Sequence, residues 1–194
     1  FDVKKYRDYK SEKLVKKSVK IFDEKFKDYL YGIERKIKEN SKITFLHSGH
    51  LGDLIYALPV IKELSKDHEC HFYIQANKKI DVNYFKHPAK GVFIDERMLN
   101  LFLPLMKVQK FIHKCEKYNG EEIDINFDIF RELPVNIHFN SPRWYFHIAG
   151  IQVDLKDPYM DVEPHEKIKN KIVIHRTFRH RNQFINYKFL KDEK

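Results

Sequence analysis

Apolar positions along the chain change period several times, and each change predicts an element. Over residues 11–39, Val15, Val19, Phe22, Phe26, Tyr29 or Leu30, Ile33 and Ile37 recur every three or four residues, the spacing of one amphipathic helix. Ser11 is placed to cap it and Asn40-Ser41 to close it. The apolar stripe suits packing on the domain that follows, with a coiled-coil or membrane-surface helix as the other readings. Ile43-Thr44-Phe45-Leu46-His47 is then a short β-favouring run, and Ser48-Gly49-His50-Leu51-Gly52 reads as a turn. From Asp53 to Leu64 the helical period returns through Leu54, Ile55, Leu58, Ile61 and Leu64, although Pro59 is expected to bend or shorten that helix. Cys70–Gln75 is the next strand, so strand, loop, helix and strand form a βαβ unit with parallel strands.

Downstream, Gly91–Asp95 is a candidate strand, and Leu99–Met106 is an apolar run whose type the pattern leaves open. Lys110–Tyr118 and Glu121–Phe127 flank Asn119-Gly120, which favours a tight β-hairpin turn. Ser141-Pro142, then Arg143–Ala149, then Gly150 is ordered helix punctuation. Asp154–Glu166, with Pro158 and Pro164, is polar and linker-like. Lys171–His175 is a new strand, followed by a basic loop over Thr177–Asn182. The expected organisation is a helical segment over 1–42, a Rossmann-like domain over 43–154, a linker over 155–170, and the first strand and loop of another domain over 171–194. The fold class is α/β: a Rossmann-like parallel sheet with flanking helices, preceded by a long amphipathic helix and carrying an added β-hairpin.

Composition narrows the picture. The 194 residues include 16 Phe and 11 Tyr but only 6 Gly and 7 Pro, which argues against a disordered or low-complexity chain. There is no signal-peptide pattern and no apolar run long enough to span a bilayer. The chain opens on Phe1 rather than Met, as expected of a piece of a longer polypeptide. Cys70 and Cys115 lack CxxC spacing and read as buried free thiols of a reducing compartment. The net charge of +9 is uneven: residues 1–42 carry +6, residues 167–194 carry +7, and the stretch between is mildly acidic at −4. Basic ends suit phosphate groups or an acidic membrane surface. Interleaved acids in the N-terminal part and the lack of a recognisable binding motif argue against nucleic acid.

The sharpest motif is His47-Ser-Gly-His-Leu-Gly-Asp53. Glycines after a strand let backbone N–H groups approach a ligand. The spacing is neither GxGxxG nor a Walker A loop. Asp53, directly after Gly52, either caps the helix or stands as a reactive carboxylate at the mouth of the loop. His47-x-x-His50 and His68-Glu-Cys-His71 are the closest metal-like clusters, but neither has the second cluster a zinc site needs, so no metal or other cofactor is expected. His50 is a better candidate for contacting a substrate, while Tyr56 and Trp144 are read as packing residues.

The stretch Gly52-Asp-Leu-Ile-Tyr-Ala-Leu-Pro59, with Ile61 and Leu64, resembles the first loop and helix of the heptosyltransferase-like (ADP-heptose:lipopolysaccharide) glycosyltransferases. Lys171–Asn182 is similar to the opening strand and loop of the second domain in relatives of that family, and Asp124–Asp128, Phe130-Arg131 and Trp144–Gly150 fall where such a chain would have them. The resemblance covers about residues 43–190 and implies a GT-B fold, of which this chain holds the N-terminal half and the start of the donor domain. It implies inverting, metal-independent transfer of a sugar from a nucleotide-diphosphate sugar to a hydroxyl of a glycan or glycolipid, in the cytoplasm or at the inner face of the membrane. Asp53 matches the proposed general base, and Gly49, His50 and Gly52 would form the acceptor loop. Arg176, Thr177, Arg179 and Arg181 would hold the donor diphosphate, which needs cationic and hydroxyl donors where no metal serves. A crowded Arg-His run replaces the family's small-residue loop there. A complete GT-B enzyme needs roughly 300 or more residues, so the chain by itself is expected to be incomplete for activity. The alternative is a non-catalytic Rossmann-like binding or scaffold protein without a full donor domain.

Overall fold

The computed structural model describes residues 27, 29–79, 91–131, 141–156, 158–162 and 166–167. Contacts divide the chain into two compact units, Phe1–Asp161 and Val162–Lys194, and the described fold belongs to the first. The expected helix over 11–28 (Lys27 apart), the strand at 171–175 and the basic loop after it lie outside the described residues.

Residues 29–39 are helical (α1). Ile33 is buried, and Tyr29, Leu30 and Ile37 pack against the same core, so the stripe of the amphipathic pattern faces inward over this stretch. Four strands follow: β1 (Lys42–His47), β2 (Glu69–Ile74), β3 (Lys114–Lys117) and β4 (Ile125–Asn126). All pair in parallel, in the order β3-β2-β1-β4. The central strand β1 is buried from Ile43 to His47, as a strand covered on both faces must be. Helix α2 (Leu51–Leu64) joins β1 to β2, and α3 (Glu96–Lys107) precedes β3. A five-residue 3-10 turn, Phe127–Arg131, continues from β4, and α4 (Ser141–Ala149) packs against α2 and that turn.

Four expectations need correction or completion. Pro59 does not end α2, which runs on to Leu64 with Pro59 in its buried face. A proline lacks only its own N–H, and the buried face of α2 holds the helix together through that gap. The open run at Leu99–Met106 is helical, capped by Asp95, whose side chain accepts from the Met98 amide at 2.7 Å. Gly91–Asp95 is not a strand; its one ladder contact is an isolated antiparallel bridge between Lys79 and Val92.

The hairpin is also absent. Gly120 does take the positive φ (103°) that Asn-Gly favours. The flanking segments, however, do not pair with each other: β3 pairs with β2, and β4 pairs with β1 on the opposite side of the sheet. Buried β1 has a second edge whose backbone groups need partners. Ile125-Asn126 supplies them opposite Phe45-Leu46, with Asp124 accepting from the Thr44 amide (2.9 Å) and hydroxyl (2.8 Å) just before. Among the described residues no helix is long and apolar enough to cross a membrane.

A candidate active site at the carboxyl end of the sheet

The chain builds β1, β2 and β3 outward in one direction, then returns to place β4 on the other side of β1. Strand order therefore reverses between β1 and β4, and in open α/β sheets ligands bind beyond the carboxyl ends of the strands at such a reversal. The loop Ser48-Gly49-His50 leaves β1 at this point, and Phe127-Asp128 leaves β4 beside it.

The floor of this crevice is a buried polar cluster centred on Asp128. Its Oδ1 accepts from the Ser48 amide (2.8 Å) and from Arg131 Nη1 (2.7 Å), and lies 3.1 Å from His47 Nδ1. Its Oδ2 accepts from the Ser48 hydroxyl and from Lys78 Nζ (2.7 Å). Burial alone would raise the Asp128 pKa, but the His47 hydrogen bond and the charges of His47, Arg131 and Lys78 outweigh it and hold the carboxyl far below the usual range. His47 Nδ1 also accepts from the Gly49 amide, at 3.0 Å. At its other nitrogen, Nε2 lies 2.9 Å from the Tyr145 hydroxyl. His47 and Tyr145 are fully buried, and burial, with the nearby Asp53 charge second, keeps the Tyr145 phenol un-ionised far above its ordinary range.

Asp53 sits in the first turn of α2, where Oδ2 accepts from the His50 amide at 3.0 Å. The capping reading of this residue is thus realised, and it uses one oxygen. Among the described residues Oδ1 accepts no hydrogen bond. His50 turns its ring against Phe93 and donates from Nδ1 to the Phe93 carbonyl at 2.8 Å. Gly49 is sterically demanded: a Cβ there would stand 2.6 Å from His47 Cε1 and 2.8 Å from Asp53 Oδ2. The buried imidazole and the Asp53 carboxylate thus flank one backbone unit. Gly52 differs, since a Cβ there would meet nothing within 4 Å.

The rest of the wall is aromatic. The Arg131 guanidinium lies over the rings of Phe93 (4.1 Å) and Phe130 (4.4 Å), and Phe130 stacks on Trp144, which is partly buried against the core as a packing residue. A cavity of about 490 Å³ lies at the other end of β1, lined by residues that include Glu39, Lys42, Glu122 and Asp124, and has no part in this crevice.

The structure places Gly49 and His50 in the loop after β1 and Gly52 and Asp53 in the first turn of α2. Arg176, Thr177, Arg179 and Arg181 lie outside the described residues. Pattern reading missed Lys78, Asp128, Arg131 and Tyr145 as members of a site, and weighed His47 only as a metal ligand. A carboxylate just past a short apolar strand was the available signal for Asp128; its partners 47 and 48 are some 80 positions away. Comparison with protein families, with curated proteins and with solved structures finds no match to this chain.

Proposed function

We propose that this chain carries the acceptor-side domain of an inverting, metal-independent glycosyltransferase of GT-B type, which moves a sugar from a nucleotide-diphosphate sugar to a hydroxyl of a glycan or glycolipid. The observation that carries the reading is the place of Asp53: the first helical turn beyond the central strand, beside the reversal of strand order, with one oxygen spent on the loop and the other accepting no hydrogen bond among the described residues. In this reading Oδ1 accepts the proton of the acceptor hydroxyl as that oxygen attacks the anomeric carbon from the face opposite the leaving diphosphate. An ordinary aspartate, with a pKa near 3.9, is a weak base. Its contribution comes from position and from a negative charge beside an oxocarbenium-like centre. Arg176, Thr177, Arg179 and Arg181 are the proposed donors to the departing diphosphate, and the basic ends would favour an acceptor displayed on an acidic membrane surface.

Asp53→Asn in the full-length protein tests this. Asparagine can still accept from the His50 amide, so the melting temperature should stay within a few degrees of wild type. Nucleoside diphosphate release, assayed with a panel of nucleotide sugars and glycan acceptors, should fall by about 10²–10⁴-fold. Equal release by the variant would remove Asp53 from the reaction. Release by neither protein with any donor, in an intact fold, would favour a binding or scaffold role in which Asp53 serves only as a cap.

A further inference from the structure

We infer that the crevice beside β4 holds an oxyanion, a phosphate or carboxylate group of a small ligand, between Lys78 and Arg131. The argument is a surplus of positive charge. Two permanent cations, Lys78 Nζ and Arg131 Nη1, end on a single carboxylate, Asp128, at 2.7 Å each. That carboxylate also takes both the amide and hydroxyl of Ser48. Four donors thus fill its acceptor positions, and it has none left for the rest of the Arg131 fork. Even with His47 neutral, Asp128 and the two cations it pairs with carry one more positive than negative charge.

The second observation is independent of that count. Arg131 Nη2 is buried and, among the described residues, makes no hydrogen bond, leaving half of a guanidinium fork unused. Nothing in the packing calls for such an orphan, because the fork is held by Phe93 and Phe130 on its faces and by Nη1 at one end. A planar fork fixed in advance with one edge unsatisfied is the geometry that recognises an oxyanion. The Lys78 side chain is 40% exposed on a flexible stem, whereas the Arg131 side chain is 16% exposed. Lys78 is therefore the donor that can swing from Asp128 to an incoming anion, which Arg131 Nη2 then meets from below. Lys78 follows β2, Phe93 precedes α3 and Arg131 follows β4.

This inference does not require Asp53 to act as a base, and its test is a binding measurement. Inorganic phosphate, acetate and chloride at matched ionic strength are titrated into the intact chain, reading melting temperature and calorimetric heat. Phosphate or acetate should raise the melting temperature above the chloride control, and the better of the two identifies which oxyanion class the site takes. Lys78→Gln, at a half-exposed position, should fold normally and bind that anion at least fivefold more weakly. Arg131→Lys keeps the charge without the fork and should also weaken binding. Asp53→Asn should bind as wild type does, which separates this site from the proposed transfer chemistry. Equal affinity in wild type and Lys78→Gln, or no stabilisation beyond chloride, would overturn the inference.

Discussion

One hydrogen atom at position 49 keeps the loop in register with the floor beneath it. The space that a methyl would need is occupied by His47 and Asp53, and His47 cannot retreat because Asp128 and Tyr145 hold both of its nitrogens. Gly49→Ala should therefore destabilise by about 1–3 kcal/mol, the usual cost of overpacking, read as a lower urea midpoint. Asp128 makes a second prediction, in pH. Its folded pKa is depressed, so its contribution is present in full above the ordinary aspartate value of about 3.9 and drains away as pH falls below that. Asp128→Asn should be less stable than wild type at pH 7 by about 3 kcal/mol or more, since it strands Lys78 and Arg131. Urea titrations from pH 7 to pH 3 should show that gap closing below pH 4; a gap that widens on acidification would contradict the charge assignment. Of these residues, Gly49 and Asp53 were legible because their meaning is local: glycine after a strand, carboxylate at a helix start. Asp128 and Tyr145 were not, because a pair separated by 80 or more positions leaves no periodic trace.

Elements read from period held where one face is buried and failed where a turn was taken as proof of pairing. The α1 stripe, β1, α2 and β2 are where the apolar spacing places them, and α4 is where its flanking Ser-Pro and Gly place it. Asn119-Gly120 shows the failure. Its local preference is satisfied in the φ of Gly120, yet the choice of partner belongs to the unpaired edge of β1, which no window of sequence around residue 120 contains. Helix α3 was ambiguous because its apolar run is short and includes Pro104, while the deciding signal is the cap at Asp95. Asp95→Ala should cost about 1 kcal/mol, and Asp95→Asn should recover most of it, in thermal unfolding of the two variants side by side.

At the scale of the whole molecule, the core runs continuously from Ile33 through the sheet to Ile148, and both cysteines sit inside it. Burial pushes each thiol up to about 12, with the neighbouring Glu116 adding to the effect at Cys115. Native protein at pH 8 should therefore react with a disulfide reagent only at the rate of opening, whereas denatured protein should release both thiols at once. Fast labelling of the folded chain would show that the sheet breathes near β2 or β3. The parallel sheet was foreseeable from the βαβ pattern, but its reversal at β1 was not, since strand order is fixed by which edges remain to be filled.

The brevity of the outer strands has a consequence for behaviour in a crowded solution. β3 offers four residues, Lys-Cys-Glu-Lys, with charged side chains at three of them, and β4 offers two. A row so short and so charged is a poor template for a neighbouring molecule to extend. The buried, mostly apolar ladder at Ile43–Leu46 is thus kept from seeding fibres by its modest flanks, and lengthening β4 or replacing Lys114 and Lys117 with valine would remove that protection.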